Sequence, residues 1–209
     1  MYKLFGRPGW GSVLVEAQLA WHGLPYETED VEDLFKSAEG RDRLRTVNPL
    51  AQVPTLVLPD GQVMTESAAI TLYLADITGR SDLVPTVAES VRPAFLRWLV
   101  FLVANIYPTF TYADDPARFV PGAAAQQGFR SNVDAYALRL WHQVEGAAVE
   151  PWFLGERFSA LDVYVGVMTR WRPRRAWFEG SCPRLHAIAL RVDAEPRLAG
   201  VWQRNFSQS

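Results

Sequence analysis

The pattern of the chain changes once, near residue 80, and that change limits the folds open to it. Before it, short strand-like and helix-like pieces alternate; after it, every periodic segment reads as helix. Tyr2-Lys3-Leu4-Phe5 reads as a buried strand stopped by Gly6-Arg7-Pro8-Gly9. A helix starts near Ser12, whose side chain can cap it, carries Val13, Ala17, Ala20 and Trp21 on one face, and closes at Gly23-Leu24-Pro25. Tyr26 to Val31 is a second strand with little apolar alternation, and residues 32–46 form a charged, irregular helix. Thr55-Leu56-Val57-Leu58, the turn Pro59-Asp60-Gly61-Gln62 and Val63-Met64-Thr65 read as a hairpin. Glu66-Ser67 then opens a helix carrying Ile70, Leu72, Tyr73, Leu74 and Ile77, ended by Gly79. The order is β-α-β-α-β-β-α, an α/β domain over residues 1–80.

A proline-punctuated linker, 81–88, leads into an all-helical domain over 89–209. Its expected helices run from about Ser90 to Tyr107, Ala123 to Val149, Ala160 to Arg172, Pro183 to Val192 and Pro196 to Gln203, with breaks at Pro108, Pro121-Gly122, Pro151, Pro173 and Pro183. Ser159-Ala160-Leu161-Asp162 carries a serine and an acid three residues apart, the arrangement of a capping box, so Asp162 is structural.

Charge and cysteine content remove several functions. The 21 basic residues nearly balance the 23 acidic ones, so no global field steers the chain to nucleic acid or a membrane surface. Arg170, Arg172, Arg174 and Arg175, between Trp171 and Trp177, resemble a nucleic-acid patch, but Pro173 breaks the helix there and a solvated helix end is the better reading. The single cysteine, Cys182, excludes an intramolecular disulfide framework and reads as a passive thiol; His22, His142 and His186 are scattered, so no metal is expected. The N-terminal residues lack a signal-peptide pattern, and the apolar run Trp98 to Ala104 is far shorter than the ~20 residues that span a bilayer. A cytoplasmic protein is expected.

Several motifs, in order and at consistent spacing, resemble the glutathione transferase superfamily over essentially the whole chain. Asn48-Pro49-Leu50-Ala51-Gln52-Val53-Pro54-Thr55-Leu56 is similar to the family's segment before its third strand. Glu66-Ser67-Ala68-Ala69-Ile70 is similar to its glutathione-binding turn and helix, and Phe158-Ser159-Ala160-Leu161-Asp162 to the cap of its buried sixth helix. The resemblance implies a thioredoxin-like domain that binds glutathione, a helical domain contributing the acceptor pocket, a homodimer, and a cis bond at Val53-Pro54. On the residue alone, without the flanking motif, an ordinary trans proline punctuating a loop is the preferred reading of Pro54.

The chemistry has a physical reason at each position. A bend at Pro54 turns the Val53 backbone outward, where the cysteinyl backbone of glutathione can pair with it like an added strand. The helix start at Glu66-Ser67 offers unpaired N–H groups to a carboxylate, while Glu66 can pair with an ammonium; glutathione's γ-glutamyl end carries both. Cap residues alone would look the same. Ser12 is the one hydroxyl between Phe5 and Val13 where the family places its catalytic group, and it can stabilise a thiolate or merely cap. Gly11 stands where a bacterial pattern has cysteine, which removes thiol exchange through a protein mixed disulfide. Trp10 walls the acceptor pocket or packs on the helical domain. Gln52, with Lys36 and Arg41 behind it, is placed for the glycyl carboxylate, and Tyr107, Phe110 and Tyr112 are either pocket wall or aromatic core. The function implied is conjugation of the glutathione thiolate, as co-substrate, to a small hydrophobic electrophile. A glutathione-dependent isomerase, peroxidase or dehalogenase, or a binding protein that keeps the fold without catalysis, carries the same motifs.

Overall fold

The computed structural model describes residues 1–207. The chain forms two compact units, one made of Met1–Val84 together with the stretch from Val192 onward, the other of Pro85–Arg191.

The first unit is built on a four-stranded sheet in the order β2-β1-β3-β4. β1 (Tyr2–Gly6) pairs in parallel with β2 (Tyr26–Asp30), and antiparallel with β3 (Thr55–Val57), which pairs in turn with β4 (Val63–Met64). The hairpin closes as expected: Gly61 takes φ +88, and the Leu58 N–H donates to the Gln62 carbonyl at 2.8 Å. β2, weak in the sequence, is an edge strand whose acids have partners. Glu29 meets Lys3 at 2.5 Å and Arg43 at 2.6 Å, and these cations hold its carboxyl below the usual range.

Three helices, α1 (Val13–His22), α2 (Ala38–Arg45) and α3 (Ser67–Thr78), complete the β-α-β-α-β-β-α order. Val15 and Leu19 of α1, Ile70 and Leu74 of α3, and Leu4 and Leu56 of the sheet share one core, each almost wholly buried. That burial of branched aliphatic side chains is the main force holding helices to sheet. The last stretch, expected within the helical domain, folds into this first unit instead. A 3₁₀ turn (Pro196–Leu198) runs into a helix (Ala199–Phe206) that buries Leu198, Val201 and Trp202, and the Trp202 indole donates to the Val192 carbonyl at 3.0 Å.

The second unit is helical. α4 (Arg92–Phe101) continues through a π-helical segment (Leu102–Ile106) into α5 (Tyr107–Asp114), so the expected break at Pro108 is absent. Proline supplies no N–H to the ladder; the wide turn before it, closed by the Tyr107 N–H on the Leu102 carbonyl, absorbs the mismatch. This run is long and apolar enough to cross a membrane by length and composition alone, but Phe95, Trp98, Leu99, Leu102, Ile106 and Phe110 are buried inside the protein. α6 (Ala123–Ala147) and α7 (Ala160–Met168) follow. The capping box forms: Asp162 accepts from the Ser159 N–H and from the Phe153 N–H, both at 2.7 Å. α8 (Arg175–Ser181) was not anticipated, and α9 (Pro183–Asp193) leads back to the first unit. Around the start of α8, Arg174 is exposed, as a solvated helix end requires, while Arg172 pairs with Asp114 and Asp134 and Arg175 donates to the Gly166 carbonyl at 2.7 Å. These last two serve this unit's own packing.

Candidate functional site

The segment before β3 is held chiefly by one buried side chain. Asn48 donates to the Gln52 carbonyl at 3.1 Å and to the Thr55 hydroxyl at 2.9 Å, and accepts from the Leu50 N–H at 3.1 Å. The Thr55 hydroxyl donates to the same Gln52 carbonyl at 2.7 Å, and Ala51 adopts φ +50. Such a frame leaves the next residues little freedom. The Val53-Pro54 peptide bond is cis, and Val53 packs beside Phe5, Leu34, Leu44 and Ala51. Among the described residues none hydrogen-bonds the Val53 main chain, which is free to pair with an extended ligand. Gln52 is exposed beside it.

After the hairpin, Glu66 takes φ +65 and ψ +100, a backbone conformation few side chains adopt, and then α3 begins at Ser67. The Glu66 carbonyl accepts from the Ile70 N–H at 3.0 Å, and the Thr71 hydroxyl donates to the Ser67 carbonyl at 2.9 Å. The helix entry is therefore secured by carbonyl acceptors, while the Glu66 side chain is exposed and makes no cap bond. The N–H groups of the first turn have no intrahelical partner and carry the positive end of the dipole. A carboxylate and an ammonium can be met at this one place.

At the start of α1, Ser12 does not cap the helix, one of the two roles expected of it. Its backbone is helical, it makes no cap hydrogen bond, and it is 3% exposed. Its hydroxyl accepts from the Arg7 N–H at 3.1 Å and donates to the Arg7 carbonyl at 3.3 Å, so it staples the loop 7–12 shut. Gly6 makes room for this, since a Cβ there would lie 2.4 Å from the Ser12 side chain. The Gly11 and Ser12 main-chain N–H groups, by contrast, donate to no described residue. Trp10 packs within the first unit: its ring lies 5.2 Å from that of Phe35, with the Arg7 guanidinium 5.7 Å away. Of the more distant cations, Arg41 is spent on the Leu34 carbonyl at 2.7 Å and Lys36 sits 3.8 Å from Asp33.

The two tyrosines of the second unit fall in separate aromatic groups. Tyr107 meets Trp171 at 5.5 Å and Phe110 at 6.3 Å, whereas Tyr112, 40% exposed, stands edge-on to Phe119 at 5.0 Å. Cys182 is fully buried 3.8 Å from the His142 ring, and burial pushes its thiol up to about 12, as suits a passive thiol. Sequence reasoning missed Asn48 and Ala51, which hold the Val53 turn. The Asn-Pro pair was visible as a turn signal, but the partners of Asn48 lie within a fold that no local pattern specifies.

Residues 15–77 match the family described as glutathione S-transferase, N-terminal domain. The uncharacterized GST-like protein YncG of Escherichia coli strain K12 is 42% identical over 98% of each chain. The glutathione S-transferase GstA of Escherichia coli O157:H7 is 31% identical over 97% of this chain and 91% of its own. A Sulfitobacter glutathione transferase homolog solved with bound glutathione superposes with a TM-score of 0.83 over 96% of each chain, at 24% identity. A thioredoxin-like sheet unit carrying a cis-proline turn, joined to a helical unit, defines the class, and the sequence relatives decide the family. The chain belongs to the glutathione transferase superfamily.

Proposed function

We propose that the chain is a glutathione transferase that joins the thiolate of glutathione to a small hydrophobic electrophile. The observation that carries this reading is the pairing, in one unit, of a Val53 main chain without a hydrogen-bond partner among the described residues, at the cis-Pro54 turn, with the α3 entry at Glu66-Ser67. The first matches a peptide backbone and the second an amino-acid headgroup, and glutathione has both. The glutathione bound in the Sulfitobacter homolog supports the same ligand. In this reading Val53 pairs with the cysteinyl backbone, Ser67 and the α3 N–H groups hold the γ-glutamyl carboxylate, Glu66 holds its ammonium, and Gln52 reaches the glycyl end.

The sulfur end falls to the start of α1. With the Ser12 hydroxyl spent on Arg7, the thiolate is met by the Gly11 and Ser12 N–H groups, and Ser12 acts through its main chain and as a staple of the loop. Within the helical unit, the Tyr107, Phe110 and Trp171 rings form one apolar group of the kind a hydrophobic electrophile seeks, and Tyr112 stands in another. The protein works as a cytoplasmic homodimer, which light scattering checks directly.

Titration with glutathione, followed by conjugation to an aryl halide, tests the reading. The wild type binds and conjugates; Glu66→Ala weakens binding by about tenfold or more, since a charge-assisted contact is lost. Ser12→Ala keeps binding and loses no more than about tenfold in kcat, because the N–H donors remain. Absence of glutathione binding by the wild type would overturn the reading. Binding without turnover of any electrophile would instead favour a non-catalytic binding protein, a reading to which the engaged Ser12 hydroxyl lends some weight.

A further inference from the structure

We propose that Asn205 is the positioning residue for the loop that forms the sulfur end of the site, an inference that rests on the glutathione reading above. Asn205 lies on the helix Ala199–Phe206, 9% exposed, and its amide is committed on both sides. Its Oδ1 accepts from the Gly9 N–H at 3.2 Å. Its Nδ2 donates to Glu16 Oε2 and to the Val201 carbonyl, each at 2.9 Å. Turning the amide over would set its NH₂ against the Gly9 N–H and its oxygen against the Glu16 carboxylate, so one orientation is enforced.

The other end of this chain of bonds is anchored equally well. Glu16, on α1, is buried, is hydrogen-bonded by Tyr26, and has Arg204 at 3.8 Å; Arg204 in turn pairs with Asp30 and donates to Thr28 at 2.8 Å. Asn205 therefore ties the loop to α1 at a point the local sequence does not control. Gly9 takes φ +78, and the Trp10 N–H that follows bonds to the Arg7 carbonyl at 3.0 Å. The next two amides are those of Gly11 and Ser12. Their direction is set by Gly9 on one side and by α1 on the other, and Asn205 holds both.

The test measures amide hydrogen exchange over residues 9–12 in the ligand-free protein, and kcat and KM for glutathione, in four chains. In Asn205→Ala the exchange rises about tenfold or more, and kcat falls about tenfold while KM stays within about twofold. Asn205→Asp keeps an acceptor for Gly9 but sets two carboxylates together, with the same losses. Adding Glu16→Gln restores a donor–acceptor pair of reversed polarity and brings exchange and kcat back to within about threefold of wild type. A merely structural role would lower thermal stability and leave exchange at 9–12 and the kcat-to-KM split unmoved, which overturns the proposal, as does failure of the double variant to recover. If Asn205→Ala does not fold, Asn205→Asp with and without Glu16→Gln carries the same comparison. If the wild type binds no glutathione, the functional reading fails on its own, and the exchange data still decide whether Asn205 sets the loop.

Discussion

His22 shows how a single residue records the balance between burial and charge. It closes α1, where the dipole favours a cation, yet it is 8% exposed and neither ring nitrogen has a hydrogen-bond partner among the described residues. Burial holds its pKa below the ordinary 6.5, Asp82 opposes that and Arg80 adds to it. The unfolded chain therefore takes up a proton near pH 6.5 before the folded one does. Stability contributed at this position is complete above pH 6.5 and is lost as the pH falls towards the depressed folded value. His22→Phe removes the titration and the unbonded nitrogens, so it should raise stability by about 1 kcal/mol and flatten the fall of the melting temperature below pH 6.5. Thermal melts of both chains between pH 5 and pH 8 check this.

At the scale of elements, the features written in consecutive residues were the readable ones. The hairpin around Gly61, the cap at Gly23 and the Ser159–Asp162 box all formed where their signals stood. The capping box also shows how much one carboxylate can hold. Asp162 accepts two main-chain bonds and one from the Ser159 hydroxyl at 3.1 Å, and burial pushes its carboxyl up to about 7. In Asp162→Asn, an NH₂ faces a buried donor, so about 1–3 kcal/mol of stability should be lost, read as the denaturant midpoint. Elements that depend on distant partners were harder to read. The run through Pro108 stays helical because a π turn precedes it, and α8 starts after Arg172, whose acids, Asp114 and Asp134, stand far back in the sequence. The site divides the same way. Val53, Pro54, Glu66 and Ser67 sit in compact motifs, whereas the Ser12 staple needed the loop's three-dimensional course, and Asn205 meets Gly9 across 196 positions.

For the molecule as a whole, the first unit is not a segment of the chain, since it takes its last helix from beyond the helical unit. Leu198, Val201 and Trp202 bury their side chains there, and Asn205 and Arg204 meet Glu16. Removing residues 194–209 should then destabilise the first unit, leaving Glu16 buried without its amide partner. Limited proteolysis should show earlier cleavage between residues 7 and 36 in the truncated chain, while fragments from residues 85–191 keep their resistance.

That return of the chain has a consequence for synthesis. A ribosome releases residues 1–84, then spends about 5–20 s on the helical unit at ~5–20 residues per second before the Ala199–Phe206 helix can emerge. Throughout that interval Glu16 and the Gly9 amide wait without Asn205. The loop over residues 7–12 is thus among the last parts of the protein to acquire its shape, and a nascent chain stalled short of residue 205 carries the proposed glutathione site with one end still unmade.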